Sequence, residues 1–247
     1  MARLEALDPD LVLRAYAVGV FPMADHRDAH SVYWVEPKLR GILPLDGFRL
    51  SRSLRKTIVA DRFRVTADQA FGEILQLCAE SAPDRPETWI NHSIEDVFTA
   101  LHRRRFAHSI EVWDGDRLAG GLYGLALGRA FFGESMVSRA RDASKVALAW
   151  LVARLKVGGF TLLDCQFQTD HLASLGAIEV PRDDYVSLLS ASLGAGGAGL
   201  ALGSPEVSAD FRALDRLAGR SALGPDSATV FGPPTGKVIA QLLAQTS

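Results

Sequence analysis

The pattern of apolar and polar positions predicts helices in the first half of the chain. Residues 9–18 carry apolar side chains at helical spacing and end at Gly19. The segments that follow, GVFPM, HSVYWVEP and GILPL, are predicted as a turn and two short extended pieces. The same apolar spacing predicts further helices at 51–59, 67–80 and 93–104. Between the last two, SAPDRPE at 81–87 is polar and Pro-rich, which is typical of a loop.

The second half has a clearer alternation. SIEVW, RLAGGLYGLAL and AFFGESM are predicted as three consecutive strands, the first two joined by a hairpin turn at DGD. A long helix is predicted for SRARDASKVALAWLVARLKVGG, then a strand over FTLLDCQ, a short helix at 169–175 and a strand at AIEV. The resulting order is β-β-β-α-β-α-β. This order is typical of GNAT-type acyltransferases, so the predicted fold class is α+β.

The loop before the long helix argues against one common acyl donor. In acetyltransferases of this fold, a Gly-rich loop holds the pyrophosphate of coenzyme A with its backbone N–H groups. Here the loop is VSRARDASK, which has no glycine. We therefore expect no coenzyme A and no other cofactor.

Composition changes after residue 187. The stretch SLLSASLGAGGAGLALGSPE is rich in Gly, Ala, Ser and Leu, and short helices are predicted near 209–217 and 237–244. The predicted organisation has three parts. They are a small mixed α/β N-terminal domain at 1–60, a GNAT-like catalytic domain at 61–186, and a flexible linker with short C-terminal helices at 187–247.

Bulk composition excludes several classes of protein. The chain has 247 residues, 48% hydrophobic residues and a net charge of −2, so it does not coat nucleic acid through bulk positive charge. No apolar run approaches the roughly 18 residues of a membrane span, and the N-terminus has no signal-peptide pattern. Two cysteines, Cys78 and Cys165, cannot form a disulfide framework or a zinc cage. We expect a cytoplasmic protein with reduced thiols.

A local basic run stands out against the acidic total. RLSRSLRK contains no acidic residue, and more cations follow it. Such a run is more often a solvated face than a phosphate site, and composition alone leaves both possibilities open. The candidate phosphate-binding cations are Arg52, Arg55, Lys56 and Arg62.

The end of the strand FTLLDCQ poses a question of charge. Asp164 and Gln166 stand where an apolar strand ends, and a buried carboxylate without a partner is costly. Either a group of the protein pairs with Asp164, or a bound substrate does. A purely structural alternative makes Asp164 the cap of the following helix and Gln166 a satisfied core amide.

Taken together, the motifs resemble a known family. RAYAVGVFPM, SRSLRK, WIN, LHRRRFAHSIEVWDGDRLAGGLYG, FFGESMVSRARDASKVAL and LLDCQFQTDHLASLGAIEVPRDDY occur in one order. In this order they resemble the leucyl/phenylalanyl-tRNA–protein transferases over roughly residues 7–186. The tail after residue 187 is not covered.

The resemblance implies an activity and a site. Enzymes of this family move leucine or phenylalanine, and methionine less well, from charged tRNA to proteins with N-terminal Arg or Lys, which marks them for degradation. It implies catalytic roles for Asp164, Gln166 and Glu134. We hypothesise that Glu134 and Asp164 receive the acceptor's basic side chain and that Gln166 orients its α-amine.

The resemblance also implies where the aminoacyl-tRNA binds. Its aminoacyl pocket would be lined by Leu122, Phe131, Ser135, Met136, Leu151 and Leu163, which the pattern alone makes core residues. Trp89 would stack on the terminal adenosine of the tRNA, with Met23 and Phe98 beside the tRNA 3′ end. The last two depart from the family pattern, since Met23 replaces an aromatic residue that is often Trp, and Phe98 replaces a Tyr.

Other chemistries have weaker support in the sequence. His26 and His30 have the spacing of a ligand pair, but no third ligand is evident, so no metal is predicted. A Cys165–His171 nucleophile is an alternative, although strand alternation should point Cys165 away from its two neighbours.

Three alternative functions remain open, and one expectation concerns the oligomeric state. The rivals are an acetyl-CoA-dependent N-acetyltransferase, a Fem-like aminoacyl-tRNA-dependent transferase acting on peptidoglycan precursors, and a non-catalytic adaptor that recognises N-terminal basic residues. A monomer without a membrane partner is expected.

Overall fold

The computed structural model describes residues 6–80, 87–194, 209–221 and 234–244. Within them the helices are α1 (Pro9–Ala17), α2 (Arg52–Val59), α3 (Phe71–Ala79), α4 (His92–Arg103), α5 (Ala143–Val157), α6 (Asp170–Ser174), α7 (Arg182–Leu193), α8 (Ala213–Ser221) and α9 (Gly236–Ala244). The strands are β1 (Phe21–Met23), β2 (Tyr33–Val35), β3 (Leu39–Ile42), β4 (Arg64–Ala67), β5 (Ala107–Asp114), β6 (Arg117–Leu127), β7 (Ala130–Ser138), β8 (Leu162–Gln166) and β9 (Ile178–Pro181).

Local sequence accounts for the ends of several helices. The side chain of Asp8 caps α1, that of Ser51 caps α2, and that of Asn91 caps α4, each accepting a hydrogen bond from a backbone N–H of the first turn. The helix α5 differs, because the side chain of Asp142, the residue before it, forms no capping hydrogen bond and its backbone is left-handed, with a φ of 67°. Gly158 and Gly159 follow its last turn, as the sequence predicts.

A mixed sheet of seven strands forms the centre of the fold, in the order β4-β5-β6-β7-β8-β3-β9. The predicted succession of three strands, helix, strand, helix and strand is confirmed as β5-β6-β7-α5-β8-α6-β9. Its pairs are antiparallel except β7 with β8, which α5 connects as a crossover. A separate two-stranded sheet pairs β1 with β2.

The sheet has an apolar core on each face. Neighbouring residues of one strand belong to different core clusters, for example Phe131 and Phe132 on β7, or Leu163 and Leu162 on β8. This follows from the alternation of side chains along a strand. The helices α2, α5 and α9 contribute to one core, and α1, α3, α4 and α7 to the other.

Several predicted elements need correction. Residues 21–23 of the predicted turn GVFPM form β1, because they pair with β2. The predicted helix at 67–80 begins later, at Phe71, because residues 64–67 form β4 on the edge of the sheet. Residues 187–193, predicted as the start of a flexible linker, continue α7, whose Tyr185 and Leu189 are buried.

The predicted domain boundaries stay a prediction. Strand β3 comes from the segment 1–60, yet it lies in the main sheet between β8 and β9. The C-terminal helices predicted near 209–217 and 237–244 correspond to α8 and α9, both packed against α5. Most of the predicted loop at 81–87 and residues 195–208 of the predicted linker lie outside the described residues.

Candidate active site

The register of β7 and β8 brings two of the three predicted catalytic residues together. Phe131 lies opposite Leu163 and Phe132 opposite Asp164, an offset of 32 residues. The same offset places Glu134 opposite Gln166, beyond the last pair of the ladder. The Gln166 Nε2 atom donates a hydrogen bond of 3.0 Å to Glu134 Oε1, and both side chains are buried.

Gln166 is held in an unusual backbone conformation. Its φ is +61°, in the left-handed region that non-glycine residues seldom adopt. The Phe167 N–H donates to the Cys165 carbonyl at 2.7 Å, so the chain turns within three residues around Gln166. Strain of this kind persists only where surrounding contacts impose it. Gly41 on the paired strand β3 leaves room for this turn, because a Cβ atom there would lie 2.8 Å from the Gln168 nitrogen.

Asp164 is already paired within the protein. Arg40 Nε donates to Oδ1 at 2.9 Å and Arg40 Nη2 to Oδ2 at 2.6 Å. The Tyr185 hydroxyl donates to Oδ2 at 2.7 Å, and the Gln166 backbone N–H to Oδ1 at 2.7 Å. Asp164 is fully buried. Both oxygens and the charge of Asp164 are thus engaged within the protein, an arrangement that does not favour the hypothesis that Asp164 receives a substrate cation.

Glu134 has a different environment. Its Oε2 atom is buried without a hydrogen-bond partner, as is the neighbouring Tyr16 hydroxyl. Desolvation raises the pKa of Glu134 to about 8, and the negative charge of Asp164 adds to the rise, while Tyr16, Gln166 and Arg40 oppose it. Burial, followed by the proximity of Glu134, also raises the pKa of Tyr16 well above its ordinary value. The Tyr16 hydroxyl lies close enough to Glu134 to affect both pKa values, but no hydrogen bond of ordinary length occupies Glu134 Oε2.

A cavity of about 370 Å³ opens beside these polar groups, between the ends of β7 and β8 and the helices α5 and α6. Its apolar lining comes from Met23, Trp89, Leu122, Met136, Leu148, Leu151, Leu163, Phe167 and Leu172. Its polar lining comes from Tyr123, Glu134, Ser135, Cys165, Gln166, Thr169 and His171. A mostly apolar cavity with a few convergent polar groups is the usual form of a small-molecule site.

Most residues predicted for the aminoacyl pocket line this cavity, and one does not. Leu122, Ser135, Met136, Leu151 and Leu163 are part of the lining. Phe131 is fully buried elsewhere in the core, where it stacks on Phe211 with 5.7 Å between ring centroids. Its ring lies over Gly124 of β6, where a Cβ atom would come within 2.4 Å of it.

Two of the three residues predicted for the tRNA 3′ end also reach the cavity. Trp89 and Met23 are in its lining. Phe98 is fully buried and packs edge-on against Tyr16 and Tyr123, with ring centroids 6.5 Å and 5.4 Å away. Phe98 thus packs behind Tyr123, which lines the cavity, and Phe98 itself does not line the cavity.

Cys165 lies in the cavity with Leu163 and points away from Asp164, as strand alternation predicts, but it does not point away from Gln166. The turn at Gln166 interrupts the alternation, so Cys165 and Gln166 line the same cavity. Desolvation, then the charge of Asp164, raises the pKa of the Cys165 thiol far above its ordinary value, so that it is a poor nucleophile. Burial and Lys145 lower the pKa of His171, and in the described part of the chain no hydrogen bond joins it to Cys165.

The four predicted phosphate-binding cations are exposed. Arg52, Arg55 and Lys56 project from α2, and the Arg62 guanidinium lies 4.9 Å from the ring centroid of Phe63. None of the four forms an ion pair with a carboxylate of the described residues. Across residues 6–80, 87–194, 209–221 and 234–244 there is no cluster of three His, Cys, Asp or Glu side chains suited to a metal ion. In the same ranges, no helix is long and apolar enough to cross a bilayer.

Sequence reasoning missed Tyr16, Arg40 and Tyr185. Arg40 offered a signal, because a lone arginine in an apolar extended segment needs a carboxylate if it is buried. From the sequence, Asp164 was already identified as a carboxylate that needs a positively charged partner. The two residues are 124 positions apart, so no local pattern could pair them.

Comparison with known proteins gives the same family over both parts of the chain. The family model described as leucyl/phenylalanyl-tRNA protein transferase matches residues 42–190, and the model of its N-terminal domain matches residues 5–38. A leucyl/phenylalanyl-tRNA–protein transferase of Rhizorhabdus wittichii is 63% identical over 252 residues, covering 99% of this chain and 100% of the relative.

Two further relatives carry the same name. One, from Zymomonas mobilis subsp. mobilis, is 62% identical over 187 residues, covering 76% of this chain and 70% of the relative. Another, from Novosphingobium aromaticivorans, is 48% identical over 271 residues and covers 100% of both chains. The solved structure titled "The structure of L-PGS from Bacillus licheniformis" has a TM-score of 0.39 at 13% identity, covering 55% of this chain and 49% of that one. That likeness carries no argument, so the GNAT-like assignment stays a prediction.

The family matches over both parts of the chain identify a transferase, whose candidate site is the apolar cavity with the amide–carboxylate pair at its edge. The chain belongs to the leucyl/phenylalanyl-tRNA–protein transferase family and is an aminoacyltransferase.

Proposed function

We propose that this enzyme moves leucine or phenylalanine, and methionine less well, from charged tRNA to the α-amine of proteins that begin with Arg or Lys, which marks them for degradation. The observation that carries the proposal is the placement of Gln166 and Glu134 at the edge of an apolar cavity of about 370 Å³. The cavity suits an apolar side chain that is not branched at Cβ, such as that of leucine, phenylalanine or methionine. The polar edge suits the α-amine that attacks the ester carbonyl.

The reaction needs positioning more than an activated nucleophile. The α-amine nitrogen forms a bond to the ester carbonyl carbon, the ester C–O bond breaks, and the amine's proton passes to the leaving ribose oxygen. An α-amine has a pKa of about 7.7–8.0, so roughly one in ten is neutral at pH 7. Holding amine and ester together can supply several kcal/mol of the barrier.

In this proposal Gln166 and Glu134 have separate roles. Because Gln166 Nε2 donates to Glu134, its carbonyl oxygen is left to accept a hydrogen bond from the amine. Glu134 lines the cavity, and its carboxylate receives the basic side chain of the acceptor. A cation beside Glu134 favours its ionised form and lowers its pKa.

The test is a transfer assay with labelled leucyl-tRNA. The acceptors are a reporter peptide beginning with Arg and the same peptide beginning with Gly. Label on the Arg peptide alone supports the proposal, and Gln166→Ala should then lower the rate. Binding of the Arg peptide without transfer would support the adaptor function instead. Transfer to a peptidoglycan precursor but to neither peptide would support the Fem-like function.

The size of the cavity should control the choice between leucine and phenylalanine. Met136→Ala enlarges the cavity from a half-buried position, and the smaller leucine side chain cannot refill the space. We expect kcat/KM for phenylalanyl-tRNA over that for leucyl-tRNA to rise about tenfold. Val137→Ala is the matched control, because Val137 is next on β7 but packs against the opposite core. An unchanged ratio in Met136→Ala would contradict the pocket assignment.

The exposed cations of α2 should contribute to tRNA affinity. Replacing Arg52 and Arg55 with alanine removes two cations, so the slope of log K against log salt should weaken by about 0.7–0.9 for each phosphate that α2 no longer neutralises. Arg117→Ala is the control, since Arg117 is exposed in the β5–β6 hairpin and has no ion pair in the described residues. Equal slopes for all three proteins would show that α2 is only a solvated face.

A further inference from the structure

A buried arginine supports the polar edge of the cavity from behind. Arg40 is 1% exposed, and its guanidinium lies 4.6 Å from the ring centroids of both Phe21 and Tyr185. Arg40 Nη1 donates to the Gly19 carbonyl at 3.1 Å. The guanidinium is thus fixed by stacking and hydrogen bonds before it contacts Asp164.

We propose that Arg40 and Tyr185 are positioning residues for the transfer reaction, acting through Asp164 to hold the turn that directs Gln166 at the amine. The proposal rests on the proposed function, because it concerns the role of Gln166 there. Neither residue is among the lining of the cavity, so neither is expected to touch a substrate.

The hydrogen bonds form a continuous path. The Arg40 fork and the Tyr185 hydroxyl fix the rotation of the Asp164 carboxylate. That rotation presents Oδ1 to the Gln166 backbone N–H at 2.7 Å. This hydrogen bond helps to hold the left-handed conformation of Gln166, which in turn brings its side chain to Glu134.

Arginine is needed at this position because of its shape. A guanidinium offers two parallel donors that match both carboxylate oxygens, whereas the lysine ammonium is a compact charge without that fork. Arg40→Lys keeps the charge but loses the fork, so it should loosen the orientation of the Asp164 carboxylate. Tyr185→Phe removes one donor to the same oxygen and keeps the ring that stacks on Arg40.

The chain offers a matched control for a buried arginine. Arg154 is 3% exposed and binds both oxygens of Asp215, at 2.7 Å and 2.6 Å, but it lies outside the active-site cavity. Arg154→Lys should therefore lower stability without moving Gln166, although by less than Arg40→Lys, because the Asp215 side chain is 49% exposed.

The experiment compares the parent, Arg40→Lys, Tyr185→Phe and Arg154→Lys in the leucyl-tRNA assay with the Arg peptide, corrected for the folded fraction. We expect kcat to fall about 10²-fold in Arg40→Lys and about tenfold in Tyr185→Phe, with KM for leucyl-tRNA unchanged. Arg154→Lys should keep the parent kcat. In parallel, the NMR signals of the Gln166 side-chain amide, assigned by their absence in Gln166→Ala, should shift in Arg40→Lys and Tyr185→Phe only.

Each result separates the two proposals. If the parent does not transfer to the Arg peptide, the proposed function fails, and the Gln166 signals still test the positioning. The positioning proposal would be overturned by a parental kcat in both Arg40→Lys and Tyr185→Phe. Unmoved Gln166 signals in both variants would overturn it as well. If Arg40→Lys does not fold, the same two readouts in Tyr185→Phe decide the outcome.

Discussion

Replacing Asp164 with alanine is expected to lower the free energy of unfolding by about 3–5 kcal/mol and to reduce transfer far more than unfolding explains. The stability loss arises because Arg40 would keep its charge in a buried place without a carboxylate. The activity loss arises because the Gln166 backbone N–H would lose its acceptor, and the turn that it stabilises would relax. Denaturant unfolding measures the first effect, and single-turnover transfer from labelled leucyl-tRNA measures the second.

Two further variants make this result interpretable. Asp215→Ala removes the partner of the buried Arg154, and because the Asp215 side chain is 49% exposed, the stability loss should be smaller and transfer should be retained. Asp164→Asn keeps the shape and one oxygen acceptor, so it should fold better than the alanine variant and still transfer slowly. Near-parental transfer by folded Asp164→Ala would remove Asp164 from the mechanism.

The parts of the fold that sequence could predict are those set by local signals. The DGD turn and the alternation on either side predict the β5–β6 hairpin, and apolar spacing followed by two glycines predicts α5. Strand β4 could not be found in this way, and β3 was predicted only in part, by the extended piece GILPL. They have four residues each, and each joins the sheet by pairing with strands distant in the chain.

The site shows the same division between local and distant information. Asp164, Gln166 and Glu134 come from motifs, and the register of β7 and β8 explains why Glu134 and Gln166 meet. The charge partner of Asp164 was not predictable, since it comes from β3. Alternation correctly separates Cys165 from Asp164, but it fails at Gln166, because the left-handed backbone there turns the Gln166 side chain toward the cavity that Cys165 also lines.

The pairing of Arg40 with Asp164 also determines which acidic side chain can bind the basic residue of the acceptor. With Arg40 and Asp164 cancelling each other, Glu134 is the side chain at the cavity edge whose charge can respond to a substrate. Its pKa of about 8 means that it is largely neutral at pH 7 before the acceptor binds. A neutral acid avoids the cost of a bare buried charge, and binding of a basic side chain restores the charge where it is paired.

Replacing Glu134 with glutamine should change how stability depends on pH. Between its ordinary value of 4.5 and the folded value of about 8, Glu134 keeps a proton in the folded state that it loses on unfolding. The free energy of unfolding of the parent therefore falls as pH rises through this window. Glu134→Gln removes that loss, so its stability relative to the parent should grow from pH 5 to pH 8, by a few kcal/mol at most. A relative stability that stays level across this range would contradict the raised pKa.

The same substitution should abolish the preference for basic N-termini. The Arg and Gly peptides share the α-amine, so the ratio of their kcat/KM values cancels its titration and isolates Glu134. In the parent this ratio should rise with pH up to about 8, because kcat/KM reports ionisation in the free enzyme. In Glu134→Gln the ratio should be about 10- to 100-fold lower and independent of pH, since a charge-assisted hydrogen bond of about 1.5–3 kcal/mol is removed. Arg182→Gln, which breaks an exposed pair with Glu36, is the control and should behave as the parent. A parental ratio in Glu134→Gln would mean that another group recognises the acceptor.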